Sequence, residues 1–168
     1  MRHFCININQ ISKRFNFIIL TQLMEYVPLI DILNENIKNK YIHLLSFLTE
    51  ATDIPDQLFN DKIRDINKMG IILVCIVRTD NDILIVGTGT LIKEPKIIHG
   101  GKSVGHIEDI VVHPLYRNKH IAQTILNKLI EYGDDCYKII LDCNPTLEPF
   151  YEKAGFNKKC IQMTKTLI

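Results

Sequence analysis

Three apolar runs follow one another with only short breaks: Ile71 to Val77, Ile83 to Ile92 and His106 to Val112. Each is too short for a helix of ordinary length and is rich in β-branched residues, so each reads as a strand. Asp80-Asn81-Asp82 separates the first two as a turn, which makes them a hairpin. Pro95 and Gly100-Gly101 break the chain from Lys93 to Gly101 into a loop, and Pro114 stops the third run. A chain with these strands must build a sheet and must cover it.

The covering elements are legible as helical periodicity. From Lys119 to Tyr132 the apolar residues Ile121, Ile125, Leu126, Leu129 and Ile130 step by three or four, and Gly133 stands at the C-cap position. Pro28 opens a stretch, Leu29 to Leu48, whose apolar residues also fall at helical spacing. Asp53 or Asp56 starts a shorter helix to Lys68, closed by Gly70. Tyr137 to Cys143 reads as a strand. Thr146 is the expected N-cap of a short helix through Ala154, with Pro149 in its first turn and Gly155 after its end. Phe15 to Leu20 reads as a first strand, and Phe156 to Leu167 as a final strand pair. The order of elements is that of an α/β (α+β) sheet with helices packed on it.

The length, 168 residues, fits one domain. We expect residues 1–14 to be a poorly ordered tail and residues 15–168 to form a single domain. A hydrophobic content of 46% is enough for a core. The formal net charge of +1 argues against nucleic acid or an anionic membrane as a partner. The five cysteines are odd in number and lack a C-x-x-C pair, so neither a disulfide framework nor a metal site is expected. These features point to a cytoplasmic protein.

Four segments carry the chemistry. In Gly105-His106-Ile107-Glu108-Asp109-Ile110-Val111-Val112, two adjacent carboxylates lie inside an apolar strand. Alternation would turn one of them into the buried face unless the strand bulges, and a bulge would free a backbone N–H for a ligand. Next comes Arg117-Asn118-Lys119-His120-Ile121-Ala122, a basic helix start that can hold an anion through free N–H groups and the helix dipole. Leu141-Asp142-Cys143-Asn144 ends a strand, and Phe150-Tyr151-Glu152-Lys153-Ala154-Gly155-Phe156 follows on a short helix. Taken singly, each segment also fits a structural role: solvated acids on an edge strand, a solvated helix start, or core aromatics.

Together they resemble the acetyl-CoA half of the GNAT superfamily, whose loop pattern Q/R-x-x-G-x-G/A appears here as Arg-Asn-Lys-His-Ile-Ala. The strings Lys96-Ile97-Ile98-His99, Gly-His-Ile-Glu-Asp-Ile-Val-Val, Cys136-Tyr137-Lys138-Ile139-Ile140-Leu141-Asp142-Cys143 and Phe-Tyr-Glu-Lys-x-Gly-Phe resemble the glucosamine 6-phosphate N-acetyltransferase family. They occur in that family's order and cover most of the chain from Leu44 to Met163.

The resemblance implies a mixed, mostly antiparallel central sheet with flanking helices. It implies acetyl-CoA as co-substrate, no metal, glucosamine 6-phosphate as acceptor, and a homodimer. It places the pantetheine on the backbone of Ile110, Val111 and Val112, with the Ile110 N–H facing the thioester oxygen. The pyrophosphate falls to Arg117, Asn118, Lys119, His120, Ile121 and Ala122. Tyr151 is the implied partner of the CoA thiolate. Glu108, Asp109 and Asp142 would orient the amine and sugar hydroxyls, Thr49 would touch the sugar, and Lys96, Ile97, Ile98 and His99 would face its phosphate.

The chain departs from the family at three places. His120 replaces the central glycine, and is expected to sit in a helix already begun at Lys119. Leu147 replaces a CoA-contacting asparagine, and Lys165 stands in the region of a phosphate-binding arginine. Two other readings compete: a GNAT enzyme for a different small amine, which Lys96 and His99 disfavour, and an inactive CoA-binding module.

Overall fold

The computed structural model describes residues 24–33, 36–80 and 82–167. Five strands form one sheet in the order β1-β2-β3-β4-β5. They are β1 Met24–Pro28, β2 Gly70–Arg78, β3 Ile83–Glu94, β4 Val104–Val112 and β5 Lys138–Leu141. All neighbours are antiparallel except β4 and β5, which are parallel. The helices are α1 Lys38–Leu45, α2 Asp56–Met69, α3 Ile121–Tyr132 and α4 Glu148–Glu152. The mixed, mostly antiparallel sheet agrees with the sequence reading.

Helices cover both faces, so the second strand is apolar along almost its whole length. In β2 every residue from Gly70 to Val77 is buried, which is why the sequence shows a continuous run there and not an alternation. On one face Tyr41 and Leu44 of α1 and Phe59 and Ile63 of α2 pack on Ile72, Val74 and Ile76. On the other, Ile121, Ile125, Leu126 and Leu129 of α3 pack on Leu73, Val86 and Leu91. Gly87 and Gly89 of β3 allow this approach: a Cβ would stand 2.7 Å from Ile121 Cγ2 at the first and 2.8 Å from Ile125 Cγ2 at the second.

Several expectations need correction. The expected strand Phe15 to Leu20 lies outside the described residues. The continuous helix Leu29 to Leu48 is instead a 3₁₀ turn at Leu29–Ile32 followed by α1; Asn36, between them, has a left-handed backbone at φ +51° that interrupts the helical path. Met24–Pro28, unassigned in the sequence, pairs with β2 from Met24↔Val77 to Pro28↔Leu73. Thr146 is not the cap of the last helical segment. Asn144 caps the 3₁₀ turn Pro145–Leu147, its Oδ1 accepting from the Thr146 N–H at 3.0 Å, and α4 starts from Leu147 with no side-chain cap. The final strand pair is absent: residues 157–167 form no strand and are exposed. Among the described residues their backbone joins no strand, and an isolated pair is marginal in water.

Candidate functional site

The site begins with a register shift. Thr88 pairs with Val111, but Thr90 pairs with Glu108, so Asp109 and Ile110 together oppose Gly89. This is a β-bulge, and Asp109 has a positive φ, +54°, the left-handed backbone that one type of bulge adopts. The bulge resolves the problem posed by two adjacent acids, since strict alternation is broken between them. Glu108 and Asp109 both keep contact with solvent.

A second irregularity opens the cleft. β4 and β5 pair only from Val104↔Lys138 to Ile107↔Leu141. β4 continues through Glu108 to Val112 while β5 has ended. The parting leaves the backbone edge of those five residues without a β5 partner, an extended edge that a ligand can pair with. Asp142 follows β5 immediately, so it enters the cleft beside Glu108.

The electrostatics follow from this grouping. Burial pushes the Glu108 carboxyl above its ordinary range, and the charges of Asp109 and Asp142 push it further, against a smaller opposing effect of His106. Burial likewise raises Asp109. Asp142 Oδ2 accepts from Gln162 Nε2 at 2.6 Å, a contact that the sequence reading missed because it joins residues twenty apart through an irregular tail. Tyr151 lies on α4 between Phe150 and Phe156, with ring centroids 5.0 and 6.2 Å away. Burial, and next the neighbouring Cys143, raise its phenol, so the hydroxyl keeps its proton and remains a donor.

At the far end of β4 the chain turns into α3. His113 N–H donates to Val86 O at 2.9 Å, and Arg117 Nε donates to Val112 O at 3.3 Å, folding the loop back on the strand end. Asn118 and His120 both have φ +60°. His120 is therefore not in a helix begun at Lys119. It is the N-cap of α3 in the left-handed conformation, with no side-chain cap hydrogen bond. Glycine suits such a backbone, which explains in physical terms why a glycine fits that loop position. The loop delivers the first-turn N–H groups of Ile121 and Ala122 at a helix N-terminus that no side chain caps.

The remaining candidates are more dispersed. Lys96 and His99 lie beyond the end of β3, level with the start of β4 and roughly 13 Å along the strand from Glu108. Lys96 is ion-paired with Glu94, whose other oxygen meets His106 Nε2 at 3.0 Å. His99 stacks on Tyr137 at 4.1 Å. Ile97 and Ile98 are exposed. Thr49 ends the turn after α1 and is exposed, and Lys165 lies in the exposed tail. Thus the structure gathers Glu108, Asp109, Ile110 and Asp142, places Tyr151 beside Cys143, and leaves Thr49, Lys96, His99 and Lys165 at the periphery. Leu147 is exposed in the 3₁₀ turn before α4.

A bulged strand that outruns its parallel neighbour, followed by a helix start that no side chain caps, is the arrangement that the resemblance to the acetyltransferases leads one to expect. The model of the acetyltransferase (GNAT) family matches residues 38–156, and the chain belongs to that family. It is 33% identical over 128 residues to the glucosamine 6-phosphate N-acetyltransferase of Arabidopsis thaliana, covering 74% of this chain and 86% of that one. It is 36% identical over 135 residues to the enzyme of that name from Trypanosoma brucei brucei, covering 79% and 90%. The crystal structure of the Arabidopsis thaliana enzyme superposes with a TM-score of 0.76 at 30% identity, over 86% of this chain and 99% of that one.

Proposed function

We propose that this protein transfers the acetyl group of acetyl-CoA to the amine of glucosamine 6-phosphate. The observation that carries the reading is the carboxylate group Glu108, Asp109 and Asp142 at the bulged mouth of the β4–β5 cleft, in a chain whose relatives bear that enzyme's name along most of their length.

The pantetheine arm lies in the cleft against the backbone of Ile110, Val111 and Val112. The Ile110 N–H, freed from the ladder, polarises the thioester oxygen. The pyrophosphate rests on the loop from Arg117 to Ala122 and the α3 N-terminus. Asp109 and Asp142 orient the sugar, and the amine attacks the thioester carbon. A C–N bond forms as the C–S bond breaks. The amine proton passes to Glu108, whose raised pKa suits a base. The Tyr151 hydroxyl gives its proton to the departing thiolate. Thr49, Lys96, Ile97, Ile98, His99 and Lys165 form the outer rim toward the phosphate; Lys96 exchanges Glu94 for it.

We assign a homodimer as the working assembly, supported by the exposed apolar side chains of the C-terminal segment: Ile161, Met163 and Leu167 are each more than 80% exposed. A cytoplasmic setting is supported by the unpaired thiols of Cys75, Cys136, Cys143 and Cys160.

The test is CoA-thiol release with glucosamine 6-phosphate, glucosamine and a panel of polyamine and peptide amines. Release with the phosphorylated sugar far above all others is expected. Equal rates with both sugars overturn the phosphate assignment, and no release with any amine overturns catalysis.

A further inference from the structure

One polar cluster in the core is unused by this mechanism. The sequence Gly87-Thr88-Gly89-Thr90 alternates along β3. The glycines admit α3 on one face, and the threonines point to the other. Thr88 and Thr90, 0% and 4% exposed, are the buried polar side chains among the described residues. They flank the bulge: Thr88 pairs with Val111 and Thr90 with Glu108. Over them lies Tyr41 of α1, 5% exposed and braced edge-on by Phe59 at 6.1 Å.

Thr88 ties the Tyr41 hydroxyl to β3, and Thr90 is buried two residues further along the same face of the strand. Thr88 Oγ1 is 3.1 Å from Leu73 O and 3.5 Å from Tyr41 Oη. Thr90 and the Asp109 charge act on the same phenol, Thr90 favouring and Asp109 opposing its ionisation. Burial, the largest cause, pushes the phenol up to about 12, so Tyr41 is neutral wherever the protein works. A core position filled only for packing would take Phe and Val here, because buried hydroxyls add nothing unless they are satisfied by one another.

We propose that Tyr41 and Thr90 are positioning residues for acetyl transfer, holding the β3 side of the bulge so that the Asp109–Ile110 peptide stays aimed into the cleft. The inference rests on the acetyltransferase reading above. It gives α1, on which the sequence showed no chemical motif, a place in the reaction: its Tyr41 hydroxyl braces the bulge from beneath. The bulge is a strained, irregular point of the sheet, and a hydroxyl network beneath it fixes one arrangement where apolar packing would tolerate several.

Four variants of the full chain decide this: Tyr41→Phe, Thr90→Val, Thr90→Ser and, as a control, Tyr26→Phe, the other tyrosine whose phenol burial pushes up to about 12, on the opposite face beside Cys75. Tyr41→Phe and Thr90→Val are expected to lower kcat about tenfold with the KM for glucosamine 6-phosphate within about twofold. Thr90→Ser restores most of the rate, and Tyr26→Phe leaves it unchanged.

Calorimetry adds a readout that needs no acceptor amine. The ratio of the acetyl-CoA Kd to the CoA Kd should rise about threefold in the two impaired variants, because the thioester oxygen that meets the Ile110 N–H is absent from CoA, while both ligands share the pantetheine contacts. Wild-type kcat and an unchanged ratio in Tyr41→Phe and Thr90→Val overturn the proposal, as does a Tyr26→Phe loss of equal size. Should Tyr41→Phe fail to fold, the Thr90 pair decides alone. A wild-type protein that fails to acetylate glucosamine 6-phosphate overturns the activity reading instead, while the calorimetric ratio still judges the bulge.

Discussion

His120 holds a full side chain on a backbone at φ +60°, ψ +12°. Left-handed geometry costs an L-residue about 1–2 kcal/mol, and most for β-branched ones. His120→Gly is therefore expected to raise the melting temperature by a few degrees, the strain relieved exceeding the roughly 0.4–1 kcal/mol of added unfolded-state entropy. His120→Val should lower it, and a scan of the three proteins in one buffer checks both signs. The site carboxylates give a second test. As the proposed base, Glu108 acts only when ionised, so kcat/KM is expected to fall as pH drops through its pKa, which lies above the ordinary value of 4.5. The Asp142 charge is one cause of that elevation. Asp142→Asn removes it and should move the acid limb of the kcat/KM profile to lower pH, whatever it does to the plateau. An acid limb that stays put would separate the two carboxylates. For the thiolate partner, Tyr151→Phe should lower kcat by about a hundredfold, the low end for a general acid, with little change in either KM. A wild-type kcat would make Tyr151 a packing residue.

The elements show the same dependence on close fit. Gly89 sits where the sheet, α3 and the bulge meet: a Cβ there would lie 2.8 Å from Ile125 Cγ2, 3.0 Å from Leu129 Cδ1 and 3.2 Å from Ile110 Cγ1. Gly89→Val overpacks this junction and should destabilise the fold by about 1–3 kcal/mol in urea unfolding. It should also weaken acetyl-CoA binding, because α3 and Ile110 cannot both keep their places. The strands β2, β3 and β4 and the helix α3 were legible because apolar runs and a helical stripe directly encode burial. Glu108 and Asp109 stood out as charges inside such a run, and the bulge was foreseeable as the way out. Other features depended on contacts that periodicity does not carry. The 3₁₀ turn at Leu29–Ile32 keeps helical spacing on paper, yet Asn36 at φ +51° breaks the path. The left-handed His120 was masked because a helix start and a left-handed cap look alike in the residue string. Tyr41 read as one more apolar position of a helix; only the fold brings it under Thr88 and Thr90.

At the scale of the molecule the C-terminal segment stands out as unpacked. Phe156 still packs with Tyr151 against the α3 core, but beyond it Ile161, Met163 and Leu167 are 91%, 92% and 84% exposed. Two-residue spacing puts Ile161, Met163, Lys165 and Leu167 on one side of an extended chain. Burying three such apolar side chains is worth about 1.5–3 kcal/mol each. In a two-fold assembly both copies gain it, because the same surface is used twice. The segment also touches the site, since Gln162 donates to Asp142 at 2.6 Å. Assembly and acceptor binding should therefore fail together. Truncation after Asn157 is expected to convert the proposed dimer into a monomer in sedimentation equilibrium. It should also raise the KM for glucosamine 6-phosphate more than tenfold, while the acetyl-CoA Kd stays within about threefold, because β4, the loop and α3 are untouched. A truncated chain that sediments as a dimer, or a full-length chain that is monomeric while fully active, would remove the C-terminal segment from both roles.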